Sequence, residues 1–82
     1  MRLSVNRGDD GHSQWIEVQS MGKTADIYLD GIEQTNVVTV DDEAGTVLRY
    51  KVGDDGQLVA EGDELICELV SGLVEIRLRD PR

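Results

Sequence analysis

The sequence contains no phenylalanine, one cysteine, one proline and one histidine. Basic residues are also scarce: eight Lys and Arg stand against 17 Asp and Glu, a formal net charge of −9 over 82 residues. Each scarcity excludes something. A single cysteine can form neither an internal disulfide nor a zinc cluster, so a reducing, cytoplasmic compartment is expected. Without clustered Lys and Arg there is no electrostatic footprint for a phosphate backbone, and direct nucleic-acid binding is not expected. No apolar run approaches the roughly 18 residues that a membrane span needs. Met1-Arg-Leu-Ser-Val opens an alternating pattern where a signal peptide would carry an apolar stretch. One His and one Cys, with nothing to place them together, leave nucleophilic catalysis without its parts. No enzyme activity and no cofactor are expected.

Length sets the scale of what remains. Area scaling gives roughly 4,900 Å² of folded surface against roughly 13,000 Å² unfolded, so about 60% is buried. That suffices for one modest core in a single domain over residues 1–82 and leaves no room for a deep catalytic cleft.

What is present is β-branched and turn-rich. The 19 Val, Ile and Thr residues are spread evenly, and nine glycines supply a turn signal every ten residues or so. This pattern predicts an all-β domain, a small antiparallel barrel or sandwich of consecutive hairpins with six to eight short strands. Met1–Val5 alternates and reads as a first strand, with a loop over 6–14. Trp15–Gln19 reads as a second strand, with Ile16 and Val18 on one face and Trp15 on the other. In 24–29, Ala25, Ile27 and Leu29 share a face opposite Asp26 and Tyr28. Asp30-Gly31 then supplies a type I′ hairpin turn, whose two central residues need positive φ.

Later pairings follow the same logic. Val40 opposite Leu48 and Val38 opposite Tyr50 require a bulge or long loop near Gly45. Gly53-Asp54-Asp55-Gly56 turns the chain and sets Tyr50 opposite Val59 and Val52 opposite Gln57. With Ser71-Gly72 as a two-residue turn, Leu69 faces Val74, Cys67 faces Ile76 and Leu65 faces Leu78, all on one apolar side. Cys67 is then a small, inert core residue. A helix within 62–70, capped by Asp63, is the competing reading.

Few constellations carry chemistry. Asp9, Asp10 and His12 make a possible metal loop, though three ligands this close rarely converge without a fourth; a solvated loop is the plainer reading. The acidic turns at Asp41-Asp42-Glu43 and Asp54-Asp55 lack the spacing of a calcium loop and suit turn geometry. Arg7-Gly8-Asp9 spells an adhesion tripeptide that is common by chance. Trp15 and Tyr28, two of three aromatics, alternate away from the apolar face. Either they anchor a partner or they close a second small core. The expected partner surface is Trp15, Tyr28, Asp41, Asp42, Asp54 and Asp55, an acidic rim that steers towards a basic protein. Solubility accounts for the same charge without a partner. A monomer or a homodimer is expected, the latter through pairing of Met1–Val5.

Two resemblances bear on function. Val59-Ala-Glu-Gly-Asp-Glu-Leu-Ile-Cys-Glu-Leu-Val resembles biotinyl and lipoyl carrier domains before their modified hairpin. The tip here is Ser71-Gly72 and carries no lysine, so the likeness implies a β architecture and no swinging arm. Ile-Tyr-Leu-Asp-Gly-Ile (27–32), Asn-Val-Val-Thr-Val-Asp (36–41), Gly-Thr-Val-Leu-Arg-Tyr (45–50) and Ser-Gly-Leu-Val-Glu-Ile-Arg (71–77) together resemble small uncharacterised phage and prophage proteins. That likeness implies a bacterial host cell or virion, and a non-enzymatic accessory or virion-assembly role. The alternatives are an acidic mimic of nucleic acid that inhibits a host DNA-binding protein, and a metal-binding domain.

Overall fold

The computed structural model describes residues 1–80; Pro81, expected to break no strand, lies outside them. The fold is β-rich and antiparallel, as expected, with one short helix and no closed barrel among the described residues. A four-stranded sheet runs β1 (Arg2–Ser4), β4 (Val37–Asp41), β5 (Thr46–Tyr50), β8 (Cys67–Ser71). A three-stranded sheet runs β3 (Ile32–Gln34), β2 (Thr24–Leu29), β9 (Val74–Arg79). A small ribbon pairs β6 (Ala60–Glu61) with β7 (Glu64–Leu65). The helix α1 (His12–Ser20) packs on β1 and β2.

The core lies between the two larger sheets. Leu3, Val40 and Val47 come from one sheet, Ile27 and Val74 from the other, and Val18 from α1. Val47 is fully buried at its centre. The expected faces of β2 hold: Ala25, Ile27 and Leu29 pack with the core, while Asp26 and Tyr28 point away and meet Arg79 and Arg77. The Asp30-Gly31 hairpin also forms as expected, with φ of 51° and 83° and Leu29 opposite Ile32.

Five local expectations are overturned. Residues 12–20, expected as loop then strand, form α1. Five alternating residues are too few to separate period 2 from period 3.6. On the helix Trp15 and Val18, one turn apart, face the core, and Ile16 is left exposed. The helix ends in a Schellman motif: Gly22 has φ +72°, its N–H donates to Gln19 O, and Lys23 N–H donates to Val18 O.

The expected β8–β9 hairpin does not form. β8 pairs with β5, Leu69 opposite Leu48 and Cys67 opposite Tyr50, while β9 pairs with β2, Ile76 opposite Ile27. Gly72 is therefore a corner between sheets. Its N–H donates to Gly45 O, and Asp30 Oδ1 accepts from Leu73 N–H at 2.9 Å. A Cβ at Gly72 would sit 2.8 Å from the Asp30 carboxylate oxygens. Cys67 is exposed, not buried, and no helix forms over 62–70.

The last two corrections concern pairing, which shifts by one residue in each. The β4 irregularity falls at Val38, between the Val37–Arg49 and Thr39–Leu48 pairs, not at Gly45. Asn36, at φ 60°, precedes it. Thr39, not Val40, thus opposes Leu48, which puts Val40 opposite Val47 in the core. Beyond β5, Val52 bridges Leu58 in place of Gln57.

Candidate functional site

The outward side of the four-stranded sheet follows from its register. Directly opposed residues share a face, so Arg2, Asp41, Thr46 and Ser71 form one row. Ser4, Thr39, Leu48 and Leu69 form the next, and Tyr50 with Cys67 a third. The 6–11 loop folds over the Ser4 end, where the Ser4 and Thr39 hydroxyls hydrogen-bond at 2.7 Å, both residues buried. The other end is open: Leu69 is 67% exposed. Between the two ends lies a shallow depression of about 240 Å³ lined by Arg2, Asn6, Asp9, Thr39, Thr46, Leu48 and Leu69.

One wall of this depression is an ion-pair cluster. Arg2 Nη2 and Nε donate to the two Asp9 oxygens at 2.7 and 2.8 Å, and Arg2 Nη1 reaches Asp41 at 3.4 Å. Asp9 also accepts the Gly11 N–H at 2.7 Å. The Arg2 guanidinium, seconded by that N–H, holds the Asp9 carboxyl down to about 2. Asp41 is lowered as well, first by the Ala44 N–H that it accepts, then by Arg2 and the Glu43 N–H. Beside them the terminal ammonium of Met1 donates to Asp42 at 2.6 Å, which raises its pKa.

The expected partner residues do not form one surface. Asp41 and Asp42 lie at the β4–β5 turn, whereas Asp54 and Asp55 follow the far end of β5. The strand from Thr46 to Val52 separates them by roughly 20 Å. Asp55 caps its own turn by accepting the Gln57 N–H. Trp15 is half-buried over a cavity of about 100 Å³ that it shares with Leu3, Ala25, Ile27 and Val40. Tyr28 lies on the outward side of the other sheet, its ring centroid 4.5 Å from the Arg77 guanidinium carbon. Only Asp41 borders the depression, through Arg2.

The loop weighed as a metal site is spent on structure. Both Asp9 oxygens are engaged by Arg2, His12 Nδ1 contacts Ser4 O at 3.2 Å, and Asp10 is exposed. Among the described residues no group of three His, Cys, Asp or Glu side chains could hold a metal ion. Every buried side-chain N or O among them has a hydrogen-bond partner. No helix among them is long and apolar enough to cross a membrane.

The sequence reading missed Leu48 and Leu69 as surface residues. Their alternation with Val47 and Val70 was legible, but which set faces the core depends on the Val38 bulge and on the strand that β8 joins. Searches against protein-family models, curated proteins and solved structures found no match.

Proposed function

We propose that the chain is a non-catalytic protein-interaction domain, an accessory or virion-assembly component of a phage or prophage. The observation that carries this reading is the outward side of the four-stranded sheet. Leu48, Tyr50, Cys67 and Leu69 form an apolar strip beside the Arg2–Asp9–Asp41 cluster, with Leu69 two-thirds exposed. A strip of this kind, rimmed by polar groups, suits a protein partner more than a small substrate. The phage assignment rests on the sequence resemblance over about Ala25 to Arg79. Its test is the content of purified virions from the encoding phage or an induced prophage: the chain is expected there, bound to a structural protein. Its absence from particles and failure to bind their isolated structural proteins would overturn the assignment.

A further inference from the structure

The longest uncovered edge among the described residues belongs to β9. Its six residues pair with β2 in an unbroken register, Thr24–Arg79 through Leu29–Val74. The ladder bond from Asp30 N–H to Leu73 O fixes its phase. Leu73, Glu75, Arg77 and Arg79 therefore turn their backbone groups towards β2. Val74, Ile76 and Leu78 turn theirs outward, away from any strand among the described residues.

Sheet edges are commonly blunted by shortness, proline, charged side chains, a bulge or a covering loop. β3 has only three residues. β1 is covered where Ser4 N–H donates to Gly11 O. β9 is long and has no proline and no bulge along Val74–Arg79; its charged side chains, Glu75, Arg77 and Arg79, are of both signs and can be matched by a second copy. The folded surface, 5635 Å², also exceeds the roughly 4,900 Å² expected of a closed monomer of this mass.

We propose that β9 pairs antiparallel with β9 of a second copy, centred on Ile76, to give a two-fold dimer with one continuous six-stranded sheet. The outward backbone groups allow only registers that pair Val74, Ile76 and Leu78 among themselves. Charge selects among these. Centring on Ile76 sets Glu75 opposite Arg77 of the second copy, twice, in the closer non-hydrogen-bonded positions. Centring on Glu75 or on Arg77 instead sets like charges face to face.

The chosen register also places Val74 opposite Leu78 and Ile76 opposite Ile76 on the core side. This covers Leu78, which is 38% exposed in the single chain. β8, the other free edge of comparable length, has no such self-complementary charges, since Glu68 would oppose Val70 about Leu69.

The test is sedimentation of the full chain across micromolar to submillimolar concentration, at physiological salt. There the Debye length of about 8 Å screens the general repulsion between two acidic copies but not direct pairs. Wild type is expected to dimerise. Glu75→Arg sets Arg against Arg and Arg77→Glu sets Glu against Glu, each weakening the dimer at least about tenfold. Within one chain Glu75 and Arg77 pair with each other at 2.5 Å, and each substitution breaks that pair; both residues are more than half exposed, so the fold, checked by circular dichroism, is expected to persist. Mixing the two variants restores both opposite-charge pairs and is expected to give a heterodimer. A wild type that stays monomeric, a dimer indifferent to both substitutions, or a mixture that fails to reassociate would each overturn the proposal.

Discussion

Asp9 shows how an acidic residue in a glycine-bearing loop becomes structural. Arg2 grips both its oxygens and Gly11 adds an N–H, taking its carboxyl from an ordinary 3.8 to about 2. A carboxylate depressed in the fold stabilises it at every pH above the unfolded value and loses that effect as pH falls through the folded one. Urea midpoints of wild type are thus expected to fall between pH 4 and 2. Asp9→Asn lowers the midpoint at pH 7 and flattens the curve through that window. Gly45 carries a second residue-level expectation. Its φ is +71° and a Cβ there would lie 2.8 Å from Gly72 O. Gly45→Ala is expected to cost about 1–3 kcal/mol in urea denaturation, from backbone strain and the clash together. The sequence marked both sites as turn chemistry. It could not show that Asp9 reaches Arg2, or that the Gly45 and Gly72 turns touch, because both are contacts across the fold.

At the scale of elements, legibility followed the range of the cause. The 24–34 hairpin rests on Asp30-Gly31 and on alternation within six residues, and it formed as read. The α1 segment has weak helical amphipathicity, and a nine-residue helix gains most of its stability from tertiary packing. Its one local mark was Gly22, placed to close a Schellman motif. The helix makes a sharp prediction. As a strand, Ile16 and Val18 would share a face and matter alike. As α1, Val18 is 2% exposed and Ile16 48%. Val18→Ala should cost about 2 kcal/mol, and Ile16→Ala should stay within about 0.5 kcal/mol; equal costs would restore the strand. In 64–79 strand character was read, but 65–70 divides at Ile66 into β7 and β8, and neither their partners nor the buried face of β8 was read. Period-2 alternation separates the two faces of a strand but names neither its neighbour nor which face meets the core, so Cys67 and Leu69 were placed inward and are exposed, and Gly72 serves a corner as well as a hairpin.

At the scale of the molecule, two open sheets close on one core and leave two kinds of surface unused. One is the β9 edge, self-complementary in charge. The other is the outward strip of the four-stranded sheet, where Leu48 and Leu69 sit side by side. The charge of −9 is not gathered into one patch: Asp41–Asp42 and Asp54–Asp55 lie at opposite ends of β5, and Asp9 is paired with Arg2. The account therefore rests on the strip and not on an acidic rim. Leu69→Asp tests it most directly, with retention on immobilised virion structural proteins as the readout and urea unfolding as the control. The account predicts unfolding within about 0.5 kcal/mol of wild type, as for other exposed positions, and loss of retention. Equal retention of wild type and variant, or a variant that loses its fold, would contradict it.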